Sequence, residues 1–193
     1  MMTSRLHRYA VDLTLDLTLD PNTAHTRLAL SEENRKVTHM RESQSYPDHP
    51  DRFEYDPLVL CRESLTGRCY WEAEWSGDKT DISVSYKRIK RKGGMWFGNN
   101  LISWSLERKD SELIAWYNCN PTYIPVSGSK RVGVFLDESA GTLSFYSVSD
   151  THTLTHLHTF THTFTEPLYA GFRLYHINSS VSLCQIQRKC GTI

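Results

Sequence analysis

Alternation of apolar and polar positions at period two dominates this chain. In Cys69-Tyr70-Trp71-Glu72-Ala73-Glu74-Trp75, one face carries Cys69, Trp71, Ala73 and Trp75 and the other Tyr70, Glu72 and Glu74, the pattern of a half-buried strand. Ile82, Val84 and Tyr86 alternate with Ser83 and Ser85. Val132, Val134 and Leu136 share a face, but Gly133 and Phe135 opposite them are also apolar, so that strand is expected to be covered on both sides. Further strands are predicted over Thr142–Val148, His156–His162 and Ser180–Ile186. Turn signals separate them: Thr66-Gly67, Gly93-Gly94, Gly98-Asn99-Asn100, Ser127-Gly128 and Ala140-Gly141. Many short strands at close spacing predict an all-β sandwich or barrel. Helix is confined to a single expected turn, with Asp20 as N-cap and Pro21 opening a segment that ends near Ala24. No apolar stripe recurs at 3.6 residues, and the echo of Leu13–Asp16 in Leu17–Asp20 is too short to be a structural repeat.

Composition narrows the function classes. At 193 residues the chain predicts one domain. Its 22 Lys and Arg balance 22 Asp and Glu, so no global positive field draws in nucleic acid. Mean hydropathy is −0.49, and no apolar run approaches the roughly 20 residues of a membrane span. Met1–Arg8 lacks the apolar stretch of a secretory signal, which predicts a soluble, cytoplasmic protein. Residues 1–12 are polar and basic and read as a tail or the end of a linker. Cys61, Cys69, Cys119, Cys184 and Cys190 contain no C-x-x-C pair, which removes zinc-finger and thioredoxin-like readings and predicts free thiols. Cys61 and Cys69 flank a turn and leave a disulfide open as the lesser alternative.

Ordered motifs then carry a family resemblance. Leu17-Thr18-Leu19-Asp20-Pro21-Asn22-Thr23-Ala24 is followed by Leu28–Val37 and by Tyr46-Pro47-Asp48-His49-Pro50-Asp51-Arg52-Phe53. Val59–Glu63, Gly67–Trp75, Ser103-Trp104-Ser105-Leu106, Val132–Asp137, Gly141–Tyr146 and Phe164–Phe172 complete the series. Over Leu13–Gln187 the sequence resembles the PRY–SPRY, or B30.2, domain of fish tripartite-motif (TRIM) proteins and NOD-like receptors. The resemblance implies a bent antiparallel β-sandwich of two sheets, a concanavalin-like jelly roll with one or two short helical turns. It divides the chain into a tail (1–12), a PRY part (13–65), an SPRY part (66–188) and a short C-terminal tail (189–193). Two departures stand out. Leu136-Asp137-Glu138-Ser139-Ala140-Gly141 lacks the family's aromatic filling, and Asp81–Tyr86 carries serines where a glycine is common.

The role this implies is recognition of a protein or peptide by variable loops on a rigid sandwich, as the targeting module of a tripartite-motif ubiquitin ligase or an immune receptor. The alternatives are the cell-surface-binding module of a fish pore-forming toxin and an RNA-binding B30.2 domain. The most distinctive loop is Lys87–Asn100, in which five cations in six residues precede Trp96 and Phe97. Lys87, Arg88, Lys90, Arg91, Trp96, Phe97, Asn99 and Asn100 are candidate ligand contacts, suited to an acidic partner surface, because Trp and Arg are common interface anchors. The neutral total implies acids that compensate this loop elsewhere. Trp116 is expected in the core, which turns Tyr117, Asn118 and Tyr123 outward as a second set. By resemblance, Phe172 with Arg173 and Tyr175 forms a third.

Catalysis finds no footing in the sequence. On an ideal strand His156, His158 and His162 share a face, but His156 and His162 would lie about 20 Å apart, too far for one metal ion. Glu72 and Glu74 read as structural ion-pair partners. There is no G-x-S-x-G elbow or phosphate-binding glycine loop. The expectation is a monomeric binding domain without enzymatic activity, metal or cofactor.

Overall fold

The computed structural model describes residues 2–125 and 129–186 of the chain. The alternation on Cys69–Trp75 becomes a central strand, β4 (Arg68–Ser76), with Cys69, Trp71, Ala73 and Trp75 buried in the main core. Around it, β1 (Leu28–Ser31), β2 (Lys36–His39), β13 (Ser180–Leu183), β9 (Arg131–Asp137), β10 (Thr142–Val148) and β11 (Leu154–Thr161) build a seven-stranded antiparallel sheet. Its order is β1-β2-β13-β4-β9-β10-β11. A six-stranded antiparallel sheet faces it, made of β3 (Leu58–Leu60), β12 (Leu168–Leu174), β5 (Lys79–Tyr86), β6 (Ser103–Lys109), β7 (Glu112–Tyr117) and β8 (Asn120–Ile124) in the order β3-β12-β5-β6-β7-β8. Trp71 from one sheet meets Phe172 from the other edge to face, with ring centroids 5.9 Å apart, so the two inner faces close on large aromatics.

Three expectations change. Within the expected tail, α1 (Met2–Asp12) is an eleven-residue helix lying over β4 and β11. It covers the face of β4 that the alternation left to solvent, so Tyr70 and Glu72 are buried, and Ala10, Tyr70, Val148 and Leu154 form a second apolar cluster. Beneath the helix, the Tyr70 hydroxyl donates to Glu72 Oε1 (2.7 Å) and Arg131 reaches both Glu72 and Glu74 at 3.5 Å, so this acidic pair has the structural partners expected of it. Gly133 lies opposite, where any Cβ would clash with the Tyr70 hydroxyl. Second, residues 21–24 make a hydrogen-bonded turn rather than a helical one, with Asp20 Oδ1 accepting from the Asn22 N–H. Third, β11 carries a bulge. Phe145 opposes His158 while Tyr146 opposes His156, so Leu157 is an inserted residue and the histidines lose the common face of an ideal strand. Ser127, Gly128, Cys190 and the expected boundary at residue 188 lie outside the described residues.

Candidate functional site

The outer face of the six-stranded sheet is floored by small residues. Cross-strand register places Gly171, Ser83, Ser105 and Trp116 side by side on β12, β5, β6 and β7. Ser83 and Ser105 are linked through their hydroxyls (2.7 Å). The low floor lets the β5–β6 connection, residues 87–102, fold across the sheet. Phe97 plugs the space above Gly171, where a Cβ would come within 2.6 Å of its ring, and meets Phe53 edge to face at 6.2 Å. Gly98 follows with φ +88°, pressed so closely on Trp116 and Ser105 that a side chain has no room, and its N–H donates to Ser103 Oγ (2.9 Å).

Asn99 and Asn100 spend their amides inside this loop. Asn99 Oδ1 accepts from the Trp96 N–H (3.1 Å), Asn100 Nδ2 donates to the Trp96 carbonyl (2.9 Å), and Asn100 Oδ1 accepts from Ser103 Oγ (2.7 Å). Both hold the loop around Trp96. The β7–β8 hairpin docks against the same loop: Asn118 and Cys119 take left-handed φ of 50° and 62°, and their N–H groups donate to Asn100 and Gly98 carbonyls.

The loop and hairpin frame a groove of about 340 Å³ lined by Lys79, Trp96, Glu107, Trp116, Arg173 and Tyr175, with Ile114 and Tyr123 on its hairpin side. Trp96 and Trp116 meet edge to face at 6.1 Å. The Arg173 guanidinium lies 5.0 Å from the Trp96 ring and 4.1 Å from that of Tyr175, and pairs with Asp56 at 3.0 Å. Lys79 rests on Tyr175 at 4.0 Å. Tyr123 is 68% exposed on an edge strand. Below the Tyr175 ring lie two carboxyls: its hydroxyl is 2.9 Å from Asp81 Oδ2 and 3.1 Å from Glu107 Oε2. Burial, followed by the neighbouring Glu107, pushes the Asp81 carboxyl up to about 8, against the opposing pull of Arg173 and Lys79.

Of the residues singled out from sequence, Trp96, Tyr123, Arg173 and Tyr175 converge here. Phe97 and Phe172 do not: both are fully buried, Phe97 above Gly171 and Phe172 against Trp71, so neither can touch a ligand in this conformation. The faces of β7 are reversed. Leu113, Ala115 and Tyr117 point to the inter-sheet side, where Tyr117 stacks parallel on Trp104 at 5.5 Å, and Trp116 is the groove wall. Asn118 is exposed at the hairpin tip.

The basic loop is largely compensated from within. Arg88 pairs with Glu166 (2.7 Å) and Lys92 with Glu54 (3.1 Å). Arg91 donates to the Lys87 carbonyl (2.7 Å) and lies 4.6 Å from the Phe53 ring. Lys87 and Lys90 are exposed, Lys87 with its ammonium 5.7 Å from the Tyr169 ring. Sequence reasoning missed Lys79, Asp81, Glu107 and Ile114. The alternation of Asp81 with Ile82 and of Glu107 with Leu106 was the available signal.

His156 meets the Tyr146 ring at 5.6 Å, His158 that of Phe160 at 4.5 Å, and His162 is surrounded by Trp104, Tyr117 and Phe164. Among the described residues, no three His, Cys, Asp or Glu side chains gather as a metal site would require. Cys61, Cys69, Cys119 and Cys184 are free thiols. Burial pushes Cys69 up to about 12, Cys184 to about 11, and Cys61 well above the thiol range, whereas Cys119 is exposed. Iodoacetamide at about pH 8 is therefore expected to modify Cys119 at least about 100-fold faster than Cys61 in the folded protein, read by peptide mass spectrometry. Comparable rates would contradict this burial pattern.

Two antiparallel sheets with loops gathered over one face define a binding module built on a β-sandwich. The PRY (SPRY-associated) domain matches residues 17–65 and the SPRY domain residues 68–186, and the chain belongs to the PRY–SPRY family. It is similar to neoverrucotoxin subunit alpha of Synanceia verrucosa, at 42% identity over 82% of this chain and 23% of that protein. It is also similar to tripartite motif-containing protein 16 of Mus musculus, at 37% identity over 89% of this chain and 32% of that protein. The chain thus spans less than a third of either relative. The crystal structure of the TRIM65 PSpry domain superimposes with a TM-score of 0.85 and 30% identity, covering 94% of this chain and 95% of that one. SPRY domains are protein-interaction modules rather than a known enzymatic fold. No helix among the described residues is long and apolar enough to cross a membrane.

Proposed function

We propose that this domain is the targeting module of a larger cytoplasmic protein, a tripartite-motif ubiquitin ligase or a related immune receptor, and that it captures a protein partner in the groove between Trp96, Trp116 and Tyr123. The observation that carries the reading is the groove itself. Two tryptophans, two tyrosines and an arginine, the side chains that dominate binding energy at protein interfaces, converge on one half-exposed surface with charged residues at its rim. Similarity to tripartite motif-containing protein 16 along most of the chain supports that kind of parent. Arg88, Arg91 and Lys92 are engaged within the fold, which leaves an RNA-binding reading little positive charge to draw on.

A second reading follows from the similarity to neoverrucotoxin subunit alpha: the same groove would serve a toxin by gripping a cell surface. Capture experiments separate the possibilities. Immobilised domain carrying Trp96→Ala and Tyr123→Ala is expected to lose the proteins that wild type retains from cytosol, whereas Lys87→Ser with Lys90→Ser retains them. Equal capture by the groove variant would remove the groove from consideration. Retention of intact cells but of no cytosolic protein would favour the toxin reading.

A further inference from the structure

The inference rests on reading the groove as the binding surface and concerns what its floor selects. Asp81 on β5 and Glu107 on β6 are cross-strand neighbours on the outer face, and Arg173 on β12 is the register partner of Asp81 on its other side. Both carboxyls are buried, yet one phenol serves both, at 2.9 and 3.1 Å. A phenol has a single proton to donate. If both acids were ionised, one of the two contacts would set lone pair against lone pair. A phenolate would make this worse, and burial together with the two acids pushes the Tyr175 hydroxyl up, away from ionisation. The arrangement is satisfied when Asp81 carries a proton and donates it to the Tyr175 oxygen, while the Tyr175 O–H donates to Glu107.

The charged groups around this triad are layered. Lys79 and Arg173 lie on the outer side, against the Tyr175 ring at 4.0 and 4.1 Å. The acids lie beneath, with Lys79 Nζ no closer than 3.9 Å to Glu107. At the rim, Lys109 and Glu112 are cross-strand partners, and Arg173 has Asp56. Lys79 and Arg173 are thus more exposed than the Asp81 and Glu107 carboxyls beneath them, while Asp56 and Glu112 stand as acids at the rim.

We propose that the groove floor retains one proton, shared through Tyr175 between Asp81 and Glu107, and that this proton fits the groove to a carboxylate-bearing segment of a partner protein. Losing the proton places a second negative charge directly beneath the two cations, in a region of low dielectric, and weakens their hold on an anion. The acidic preference that the sequence assigned to the basic loop is thereby moved to the groove.

Carbon-detected NMR of the Asp81 side-chain carboxyl in the whole chain tests the proton. The expected titration is centred near 8 and is absent in Asp81→Asn. A midpoint in the ordinary carboxylate range near 4 would overturn the proposal. The ligand class is tested with the peptide acetyl-Leu-Glu-Leu-Glu-Leu-amide and its glutamine counterpart, followed through the indole resonances of Trp96 and Trp116. Near pH 6.5 the glutamate peptide is expected to bind at least about threefold more tightly. That advantage disappears near pH 9 in wild type and persists there in Asp81→Asn. Equal binding of the two peptides, or binding of neither, rejects the anionic ligand. The groove reading fails separately, by partner capture that survives Trp96→Ala with Tyr123→Ala.

Discussion

Replacing Arg52 by alanine is expected to lower stability by about 3–4 kcal/mol, which for a domain of this size is a fall of about 6–15 °C in melting temperature. Arg52 is buried in the connection between β2 and β3, residues 40–57, a stretch with no strand or helix of its own. Long connections of this kind need internal fastening to remain ordered. Here Nη1 donates to the Pro21 carbonyl (2.7 Å) and the Ala24 carbonyl (2.8 Å), while Nη2 donates to that of Pro47 (2.8 Å). The guanidinium lies 4.6 Å from the Tyr46 ring, whose hydroxyl donates to the Leu28 carbonyl at 2.6 Å. One planar cation thus ties together the 21–24 turn, the 40–57 connection and the start of β1. Alanine leaves the buried Ala24 carbonyl and the partly buried Pro21 and Pro47 carbonyls without this donor, and an orphaned buried acceptor costs more than its bond contributes. Arg52→Lys keeps the charge but not the fork, and is expected to recover less than half of the loss. A thermal melt of Arg52→Ala within about 2 °C of wild type would show that the connection does not depend on this clamp.

The framework strands were legible because one face was apolar and the other was not. β10 occupies the residues its alternation predicted, Thr142–Val148, and Gly133 sits where a doubly covered strand leaves no space for a side chain. Where both faces are apolar, alternation carries no phase. Leu113-Ile114-Ala115-Trp116-Tyr117 is a continuous apolar run, so the sequence could not say that Trp116 faces the groove and Tyr117 the inter-sheet space. The helix α1 was hidden for a different reason. Its residues are mostly polar, and what holds it is a tertiary surface: Ala10 against Tyr70, Val148 and Leu154. Intrinsic preference along the segment gives no sign of that surface.

The candidate site was legible by residue type and illegible by depth. A tryptophan and a phenylalanine between glycines look like a paired anchor, but their depth depends on what lies beneath them. The floor is formed by Ser83, Ser105 and Gly171, from three strands distant in sequence, and it admits Phe97 while leaving Trp96 at the surface. The basic run was likewise readable as charge but not as available charge, since Glu54 and Glu166 come from the connection before β3 and the segment before β12.

That difference in depth makes Trp96 and Phe97 the sharpest pair to separate. Phe97→Ala is expected to cost about 3–5 kcal/mol, because it empties a fully enclosed volume bounded by Phe53, Leu60 and Gly171, the last two fixed in β3 and β12 and unable to collapse into it. Phe97→Leu, which keeps most of the plug, should lose less than half of that and leave partner affinity within about threefold of wild type. Trp96→Ala behaves in the opposite way. Its ring is half-exposed, its contacts are Trp116 and Arg173 at the groove wall, and the Asn99 and Asn100 bonds that shape the loop go to its main chain. Stability should fall by only about 1 kcal/mol, while affinity for a groove ligand falls by at least about 2 kcal/mol, roughly 30-fold. Truncation also uncovers one face of Arg173, so part of the loss is expected to come from a cation that has lost its aromatic support. Urea denaturation and titration of a captured partner on the same preparations measure both quantities. A Trp96→Ala protein that unfolds early yet binds normally would mean that Trp96 serves the core and that the partner binds elsewhere on the domain.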